Sequence, residues 1–570
     1  MGVSGRVAMG DILWTPSRSE ASNLAAFQSF VERRAGRLFE EYHDLWSWSV
    51  DHLEMFWELV AEYFDVRFRR PAEAVLVGGE MPGTRWFPGA EINYAEHVFC
   101  FAEVAGDRPA IIHEDEGGTT RSLSWHAFAE QTRRVALALK GAGIGKGDRV
   151  AAYAPNMIET VIAFMACASI GAIWTCSSPD FGTATVVDRF SQVEPKLLIA
   201  RPEYSYGGKR FDRTAEIASL AAAMPSVETV ILLPSTQSLN LAGVAVLQWD
   251  AIIEATAEAP GPLEFAALPF DHPLWILYSS GTTGKPKAIV HGHGGMLLEH
   301  LKSHALHLDL GPEDRFFWFT TTGWVMWNVL VGGLLTGATI VLFDGNPGYP
   351  DSRTLWSLAE RHRITYFGVG AAFLTACMQA GLRPGDEFNL SELRTIGSTG
   401  SPLSVDAFAW CYEAVKRDVH VASSSGGTDI GGGFIGGVPT RPVRAGQLQG
   451  RMLAAAVYAF DDDGRPMVGK VGEMVITRPM PSMPLFFWND PGDVRYRESY
   501  FEYFPGVWRH GDFLEITAED QCVIHGRSDS TLNRYGIRIG TAEIYRLMEG
   551  IPDIADSLIV NLEYGDGSYF

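Results

Sequence analysis

The stretch from Leu277 to Gly295 reads Leu-Tyr-Ser-Ser-Gly-Thr-Thr-Gly-Lys-Pro-Lys-Ala-Ile-Val-His-Gly-His-Gly-Gly. An apolar run leads into it from Pro273, and a second apolar run follows Lys287. Between the two runs, glycines let backbone N–H groups turn toward an anion, while hydroxyls and lysines add hydrogen bonds and charge. The stretch therefore predicts a loop that holds a polyphosphate.

A P-loop of nucleoside triphosphatases is the obvious alternative, but its spacing does not match. That motif needs four residues between its glycines and a Ser or Thr after the Lys. Here only two residues separate Gly281 from Gly284, and Pro286 follows Lys285. A glycine-rich surface loop without a ligand is the other alternative, so motifs elsewhere in the chain have to decide.

Around this loop, short apolar strands alternate with helical patterns. Ser124 begins one predicted helix, and Gly141 and Gly143 end it. Asn156 and Glu159 predict a capping box at the start of the next helix. Such alternation is typical of a mostly parallel α/β sheet with both faces covered. The predicted strands are 110–113, 119–123, 149–154, 172–176, 196–200, 229–233, 274–277, 339–343, 366–369, 395–396 and 419–422.

The two ends of the chain have a different texture. Residues 1–105 are predicted to be mostly helical, with Phe56, Trp57 and Val60 on one helical face. After Gly450, shorter strands and turns predict a β-rich subdomain. Beyond Gly526 a further unit is predicted, with a strand over 534–539 and a helix over 541–548.

Composition narrows the possible partners. The chain has 570 residues, is 46% hydrophobic and carries a formal net charge of −22. This acidic balance argues against nucleic acid, whose phosphates need a basic face, but not against ATP or coenzyme A, which need only local positive charge. The six cysteines form no Cys-x-x-Cys pair, which indicates reduced thiols in a cytoplasmic protein.

One apolar segment resembles a membrane span. Phe316 to Phe343 has no charged residue and is long enough to cross a bilayer. However, Gly323, Asn328 and the pair Gly332–Gly333 interrupt it. This pattern favours a buried helix, a glycine turn and a buried strand, so we expect no membrane partner.

Two further glycine-rich stretches follow predicted strands. Gly397 to Pro402 is suited to hold an adenine or an acyl group with its backbone. Ser423 to Gly433 places one carboxylate, Asp429, among hydroxyls. Magnesium is usually held by one or two carboxylates together with phosphate oxygens, so Asp429 is a candidate ligand for Mg²⁺.

Two more stretches lie near the end of the β-rich part. Trp508 to Asp512 ends with a carboxylate that suits two ribose hydroxyls, although such an Asp alone reads as a turn residue. In the stretch from Gly526 to Asp529, Arg527 is a candidate phosphate ligand. This stretch lies where the predicted β-rich part ends and the next predicted unit begins. Asp529 is a candidate pivot between two domains.

In this order, the five stretches resemble the adenylate-forming superfamily of acyl-CoA synthetases, and most closely its acetyl-CoA synthetase branch. The match to that branch is carried by Ser398–Pro402, Ile524–Asp529 and Gly536–Ile544. The resemblance implies an α/β fold: a helical accessory region over 1–105, and a large adenylation domain of stacked α/β subdomains over 106–528. The β-rich part of that domain starts near residue 450, and residues 529–570 would begin a small, mobile α+β C-terminal domain.

The resemblance also implies roles for the motifs. Thr428 would touch the α-phosphate, Asp429 would hold Mg²⁺ where many relatives have Glu, and Asp512 would bind the ribose beside Arg527. Catalysis would depend on Thr283, Lys287, Thr428, Asp429 and Arg527. The ATP phosphates would contact Ser279, Ser280, Gly281, Thr282, Thr283, Gly284 and Lys285, and the adenine would lie between Gly400, Ser401, Pro402 and Ser423, Ser424, Ser425.

Three residues would serve the coenzyme A step. Asp529 would be the hinge about which the small domain rotates. Arg538 would then move in for thioester formation. Lys209, in Tyr206-Gly-Gly-Lys, is a candidate contact for the coenzyme A 3′-phosphate.

The acid is a separate question. Relatives that use acetate carry a Trp two residues before the motif Thr, where this chain has Gly426. Replacing an indole with hydrogen opens room for about two or three further heavy atoms, and Asn328 supplies a donor for a keto oxygen. The resemblance therefore favours acetoacetate as the acid. The alternative is that Gly426 is only a turn residue and that the acid is another short-chain acid. The predicted pocket comprises Trp324, Val325, Met326, Asn328, Thr399 and Gly426.

The implied activity is an ATP-dependent acid–thiol ligase that forms an acyl-AMP and then a coenzyme A thioester. Adenylation of another short-chain acid, or for another acceptor, is one alternative, and a non-catalytic nucleotide-binding module is another. The second alternative stays open because the family uses a lysine near its C-terminus, whereas no lysine follows Lys470 before Phe570. We expect the intact protein to carry that lysine further along, and a native mass of 62.5 kDa would contradict this.

Five histidines near the phosphate loop raise the possibility of a metal site. They are His291, His293, His300, His304 and His307. No His-Glu-x-x-His motif occurs among them, so core or solvated histidines are expected instead.

Overall fold

The computed structural model describes residues 7–17, 19–279 and 285–529, and beyond these the backbone of 532–534, 537–539, 562–564 and 567–569. Helices dominate the N-terminal part, and α3 buries Phe56, Trp57 and Val60 on the predicted face. The elements here are β1 (Ile12–Trp14), α1 (Asn23–Ala35), α2 (Tyr42–Asp51), α3 (Leu53–Tyr63), β2 (Leu76–Val77), β3 (Arg85–Trp86), β4 (Glu91–Ile92) and α4 (Tyr94–Ala105).

Strands and helices then alternate up to the phosphate loop. The strands are β5 (Pro109–Asp115), β6 (Thr120–Ser124), β7 (Arg149–Tyr153), β8 (Ile173–Ser177), β9 (Leu197–Ala200), β10 (Glu203–Tyr206), β11 (Lys209–Asp212), β12 (Thr229–Leu232), β13 (Ala245–Gln248), β14 (Leu268–Pro269) and β15 (Pro273–Ser279). The helices are α5 (Trp125–Gly141), α6 (Ile158–Ile170), α7 (Thr183–Phe190), α8 (Thr214–Ala223) and α9 (Trp249–Ala255).

The alternation continues after the loop. The strands are β16 (Lys287–Gly292), β17 (Arg315–Trp318), β18 (Thr339–Asp344), β19 (Tyr366–Gly370), β20 (Thr395–Thr399) and β21 (His420–Ser423). The helices are α10 (His293–Leu301), α11 (Val325–Gly332), α12 (Thr354–Arg361), α13 (Ala371–Gln379), α14 (Pro384–Glu387) and α15 (Val405–Trp410). A π-helical turn, Lys302–His307, extends α10.

The last part is mainly β. Its elements are β22 (Ser425–Gly427), β23 (Gly432–Gly436), β24 (Val443–Arg444), β25 (Gly450–Arg451), β26 (Val457–Phe460), β27 (Pro466–Met467), β28 (Val471–Ile476), β29 (Phe486–Phe487), α16 (Val494–Tyr500), β30 (Trp508–Ile516), β31 (Cys522–Arg527), β32 (Leu532–Arg534), β33 (Ile537–Ile539), β34 (Leu562–Tyr564) and β35 (Gly567–Tyr569).

Two large sheets confirm the predicted stacked α/β architecture. Within the described residues, one has the order β13-β12-β9-β7-β8-β15-β16-β29, and the other has the order β21-β20-β19-β17-β18-β5-β6. The first six strands of each are parallel, and the remaining ones are antiparallel. Apolar side chains of both sheets belong to one continuous core. The sheets therefore stack, with helices buried between them.

Helix α6 lies in this shared core. All of its residues are buried, as expected for a helix that is apolar on every side. The predicted capping box at its start is wrong. Asn156 Oδ1 instead accepts from the indole Nε1 of Trp327 at 3.0 Å, and the Glu159 carboxylate binds both terminal nitrogens of Arg121. Long-range partners thus outcompete the local cap.

The predicted β-rich part is confirmed as an antiparallel sheet in the order β27-β26-β28-β30-β31. The single strand predicted over 534–539 is wrong, because β32 and β33 are separate strands that pair with each other. The helix predicted over 541–548 lies outside the described residues. The division of the chain at residues 105 and 528 stays a prediction.

The apolar segment from Phe316 to Phe343 divides between β17, α11 and β18. The buried helix and strand predicted for it are therefore confirmed. Within the part of the chain that the structure describes, no helix has both the length and the apolar composition needed to cross a membrane.

Candidate active site

The strands that flank the phosphate loop form an antiparallel hairpin. Ser279, at the end of β15, pairs with Lys287, at the start of β16. This end of β15 is at the carboxyl edge of the parallel strands, where open α/β sheets bind their ligands. Arg495 supports the loop from outside, because its Nη2 donates to the Lys285 carbonyl at 3.1 Å. The predicted loop residues Ser280, Gly281, Thr282, Thr283 and Gly284 lie outside the described residues.

Lys287 and Asp429 meet at the mouth of this hairpin. Lys287 Nζ lies 3.5 Å from Asp429 Oδ1 and 4.9 Å from the centre of the Tyr500 ring. The Tyr500 hydroxyl donates to the same carboxylate, which is only 4% exposed. Tyr500 itself stacks on Trp508, with 3.6 Å between the ring centres. A buried carboxylate needs such donors, and here they fix Asp429 from two sides.

His510 continues this polar surface away from Asp429. A Cβ at Gly427 would lie 3.0 Å from His510 Cε1 and 3.1 Å from Asp429 Oδ2, so both side chains border this glycine. His510 Nε2 is 3.5 Å from Asp512 Oδ2. Both His510 and Asp512 are buried. The candidate metal ligand and the candidate ribose ligand therefore both lie near His510.

Arg527 and Asp529 complete the row. Arg527 pairs with Asp512 across β30 and β31, with Nη1 donating to Oδ1 at 3.2 Å. Its Nε donates to Asp529 Oδ1 at 3.0 Å. Burial lowers the pKa of Arg527, but Asp512 and Asp529 outweigh this and raise it overall, so the guanidinium stays charged. Gly511, with φ of +84°, leaves room for it, since a Cβ there would lie 2.7 Å from Arg527 Nη2.

The predicted adenine-binding segments leave adjacent strand ends. Ser398 on β20 pairs with Ser423 on β21. Beyond them, the Ser424 N–H donates to the Ser398 carbonyl at 2.9 Å, and Thr399 Oγ1 donates to the Ser424 carbonyl at 2.9 Å. These bonds bring together Gly400, Ser401 and Pro402 on one side with Ser423, Ser424 and Ser425 on the other.

The predicted pocket residues come from the same sheet edge. Trp324, Val325 and Met326 begin α11, which follows β17, and Thr399 ends β20 two strands away. Asn328 is 2% exposed, and its Oδ1 has no hydrogen-bond partner among the described residues. A buried polar atom without a partner is costly, which fits a group reserved for a ligand.

Gly426 has a reason to be glycine that its sequence does not reveal. It pairs with Gly433 across β22 and β23. A Cβ at Gly426 would lie 2.1 Å from the Gly432 carbonyl oxygen and 2.7 Å from Gly433 Cα. Both atoms belong to the backbone, so in this structure a side chain at Gly426 would clash with the facing strand.

Lys209, a candidate coenzyme A contact, is exposed at the start of β11, on the β10–β11 hairpin, which lies outside the two large sheets. Glu116 binds the tip of that hairpin, accepting from the N–H groups of Gly207 and Gly208 at 2.7 Å each. The side chain of Arg538 lies outside the described residues.

The donor set fits a Mg²⁺ ion that arrives with a nucleotide. Among the described residues, no group of three or more His, Cys, Asp or Glu side chains could hold a metal ion. Asp429 offers one buried carboxylate. Mg²⁺ is commonly bound by one or two carboxylates plus substrate phosphates rather than by an all-protein cage.

The five histidines near the loop are core residues. All are buried, and burial lowers the pKa of each, to about 4 for His291 and about 3 for His307. Most of their ring nitrogens are bonded to backbone or aromatic groups. Neutral imidazoles in this role are structural, as the sequence predicted.

Two residues of the site, His510 and Tyr500, were not predicted from the sequence. His510 could have been found, because strand side chains alternate and residues 510 and 512 therefore share a face. Tyr500 gives no local signal, since it reaches Asp429 from a helix 71 positions along the chain.

With this geometry in place, the comparisons define the class. The sequence profile of the AMP-binding enzymes matches residues 99–484, and that of the acetyl-coenzyme A synthetase N-terminus matches residues 42–98. The profiles, the stacked sheets and the row of charged groups agree on an adenylate-forming enzyme.

Individual relatives narrow the class further. The acetoacetyl-coenzyme A synthetase of Rhizobium meliloti (strain 1021) is 44% identical over 561 residues, which are 97% of this chain and 85% of that protein. The acetoacetyl-CoA synthetase of Gallus gallus is 39% identical over 567 residues, 98% of this chain and 84% of that protein. The structure of acetoacetyl-CoA synthetase from Streptomyces lividans superposes with a TM-score of 0.88 at 45% identity, covering 97% of this chain and 85% of that one. The chain therefore belongs to the acetoacetyl-CoA synthetase family of AMP-binding enzymes.

Proposed function

We propose that this chain is an AMP-forming ligase that joins acetoacetate to coenzyme A. The observation that carries the proposal is the continuous row Lys287, Asp429, His510, Asp512 and Arg527, which lies beside the end of the phosphate-loop hairpin. A row with a cation at each end and two carboxylates between them suits a nucleotide, whose phosphates need cations and whose ribose hydroxyls need a carboxylate.

In the first step, a carboxylate oxygen of acetoacetate attacks the α-phosphorus of ATP. A new oxygen–phosphorus bond forms, the bond to the bridging oxygen breaks, and pyrophosphate leaves. Lys287 and the loop amides stabilise the developing charge, and Thr428 would contact the α-phosphate. Mg²⁺ held by Asp429 would supply further positive charge to the phosphate oxygens. Asp512 and Arg527 fix the ribose, so the reacting atoms are held in position.

In the second step, the thiolate of coenzyme A attacks the acyl carbon of acetoacetyl-AMP. The carbon–sulfur bond forms, the bond to the AMP oxygen breaks, and AMP leaves. Asp529, which is bonded to Arg527, is the proposed pivot for the small domain between the steps. Lys209 and Arg538 are the proposed contacts for coenzyme A.

The choice of acetoacetate rests on the relatives named above and on Asn328. Asn328 is buried in an otherwise apolar pocket wall. A keto oxygen only accepts hydrogen bonds, so it would use the Nδ2–H of Asn328 and not Oδ1, while acetate has no group to use that donor. A buried polar group left unpaired by the wrong substrate is a strong source of selectivity.

The test is formation of AMP from ATP and coenzyme A by the full-length protein with acetoacetate, acetate, propionate or butyrate. We expect the highest kcat/KM with acetoacetate. Equal or better rates with acetate would instead support a general short-chain ligase. No AMP with any acid, despite ATP binding, would support a non-catalytic nucleotide-binding module.

Other features support small-molecule partners in the cytoplasm. The net charge of −22 disfavours a nucleic-acid partner. All six cysteines are free thiols, and five of them are buried, which suits a reducing compartment.

A further inference from the structure

Two buried histidines contact the turn that carries Asp429. His291 Nε2 lies 3.0 Å from the backbone oxygen of Asp429, and His300 Nε2 lies 3.2 Å from that of Gly431. A carbonyl oxygen only accepts hydrogen bonds, so each Nε2 must carry a proton and donate it. The turn between β22 and β23 is thus held at two carbonyls, two residues apart.

The second ring nitrogen of each histidine fixes the tautomer. Trp275 Nε1 lies 3.1 Å from His291 Nδ1, and an indole can only donate, so this Nδ1 has no proton. The Tyr94 hydroxyl lies 2.9 Å from His300 Nδ1 and donates to it when the ring is neutral. In both cases the partner at Nδ1 orients the ring so that Nε2–H points at the turn.

Helix α10, which carries His300, also packs against this turn. A Cβ at Gly431 would lie 2.7 Å from Met296 Cε, and one at Gly432 would lie 2.8 Å from Glu299 Oε1. Met296 and Glu299 are both fully buried. Because the helix leaves no space for a side chain at these glycines, the turn packs directly against it. The two histidine hydrogen bonds then fix the position of the turn relative to the helix.

We propose that His291 and His300 are positioning residues for Asp429 in the adenylation step. They touch no substrate, and each acts through a backbone carbonyl of the turn. This inference rests on the proposed function, because it assumes that Asp429 binds Mg²⁺ together with ATP. It adds that the affinity for this metal–nucleotide pair depends on one tautomer, Nε2–H, at both histidines.

The tautomer can be tested with amide side chains, each of which keeps a hydrogen-bonding group at the position of only one ring nitrogen. Asn places its amide at the δ position, so His291→Asn and His300→Asn keep a group for the Nδ1 partner but lose the donor to the turn. Gln places its amide at the ε position, so His291→Gln and His300→Gln keep the donor to the turn. If the histidines only filled space in the core, the Asn variants would not weaken Mg²⁺-dependent ATP binding more than the Gln variants.

The first readout is binding of ATP with and without Mg²⁺ by titration calorimetry, without acid or coenzyme A. We expect the Asn variants to lose about tenfold in Mg²⁺-dependent affinity, the scale seen when the group that orients a metal ligand is removed. The Gln variants should stay close to wild type. ATP binding without Mg²⁺ should change little in any of them.

The second readout separates the two half-reactions. Pyrophosphate release from ATP and acetoacetate needs the Mg²⁺ site, whereas thioester formation from supplied acetoacetyl-adenylate does not. We expect the Asn variants to slow only the first. The matched control is His307→Asn, a fully buried histidine that bonds to Gly437 and Leu453 rather than to the turn; it should leave Mg²⁺-dependent ATP binding unchanged.

Three outcomes would overturn the inference: equal effects of Asn and Gln, no effect of either, or an equal loss in His307→Asn. If the Asn variants do not fold, Tyr94→Phe carries the test, because it leaves His300 intact and removes only the partner of Nδ1. Tyr94→Phe should then weaken Mg²⁺-dependent binding, and an unchanged affinity would again contradict the inference. Failure of the proposed function is distinct, because the wild type itself would then bind no Mg²⁺·ATP or release no pyrophosphate.

Discussion

Asp512 and Arg527 lie opposite each other on β30 and β31, with 3.2 Å between Oδ1 and Nη1. Their side chains are only 8% and 12% exposed. Arg527 has a second carboxylate partner in Asp529, whose side chain is 28% exposed. The two residues therefore differ in what their loss would do. Arg527 keeps Asp529 as a partner when Asp512 is neutralised, whereas removal of Arg527 takes the cation away from both carboxylates.

Arg527→Met should destabilise the protein more than Asp512→Asn. Removing one member of a buried ion pair costs about 3–5 kcal/mol, and Arg527→Met leaves both Asp512 and Asp529 without their cation. Asp512→Asn should cost less in the free energy of unfolding, yet it should still weaken ATP binding. Urea unfolding followed by circular dichroism, together with ATP titrations, would check this. Equal stability losses would show that Asp529 does not share the arginine.

Lys287→Met should abolish most adenylation and also cost some stability, because it removes the cation beside the buried Asp429 carboxylate. The lysine lies over the rings of Phe487 and Tyr500, so the apolar methionine side chain can keep that packing. Loss of one charge that stabilises the transition state typically costs about a hundredfold in rate. Acid-dependent pyrophosphate release and the melting temperature measure the two effects. Lys470→Met, at an exposed position, is the control; a folded Lys287→Met protein that releases pyrophosphate at the wild-type rate would contradict the catalytic interpretation.

Much of the fold could be predicted from local patterns. Buried strands such as β9 and β12 are short apolar runs between turn residues, and their order along the chain implies parallel pairing. The helix at Ser124 also follows local rules, since its hydroxyl accepts from the Ala127 N–H. Such features depend on residues a few positions apart, which the sequence displays directly.

The features that local patterns do not show depend on distant partners. The helix cap predicted at Asn156 is wrong, because its side chain accepts a hydrogen bond from Trp327, 171 positions away. The size hypothesis for Gly426 stays a prediction, but the sequence does not show that a Cβ there would lie 2.7 Å from Gly433 Cα on the facing strand. No local pattern shows which strand will lie beside which, so these reasons appear only in three dimensions.

Gly426→Ala should lower activity with every acid rather than shift the preference toward acetate. The new Cβ would lie 2.1 Å from the Gly432 carbonyl oxygen, and a backbone atom cannot move aside without disturbing the turn that carries Asp429. Overpacking of this kind costs about 1–3 kcal/mol. Melting temperature and kcat/KM with acetoacetate and acetate would be compared. Gly141→Ala is the control, because a Cβ there meets nothing within 4 Å; a selective gain with acetate in Gly426→Ala would restore the size hypothesis.

Asp344→Asn should stabilise the protein above neutral pH. Burial is the main reason that the pKa of Asp344 rises from 3.8 to about 7; Arg201 opposes the rise, and Asp115 and Glu116 nearby add to it. Between these two pKa values the folded protein holds a proton that the unfolded chain releases, so stability falls as pH rises. Each pKa unit corresponds to about 1.4 kcal/mol, and the asparagine variant escapes this loss.

The check is the melting temperature of Asp344→Asn at pH 4 and pH 8. The gain over wild type should be small at pH 4 and clear at pH 8. Asp462→Asn, at an exposed turn position, should show no such dependence. A gain of the same size at both pH values would mean that packing rather than ionisation decides the stability at residue 344.

Glu116→Gln should weaken coenzyme A binding without affecting adenylation. The carboxylate accepts from the N–H groups of Gly207, Gly208 and Asn346 at 2.7, 2.7 and 2.8 Å, and so ties the β10–β11 hairpin to the other sheet. An amide NH2 in place of one oxygen would face an N–H donor, which frees the tip of the hairpin next to Lys209. The expected effect is about a tenfold higher KM for coenzyme A, the scale of one lost charge-assisted hydrogen bond. Thioester formation from supplied acetoacetyl-adenylate measures it, while pyrophosphate release from ATP should be unchanged. Lys209→Ala should reproduce the effect and the exposed Glu58→Gln should not; if both half-reactions fell together in Glu116→Gln, its role would be in the fold rather than at coenzyme A.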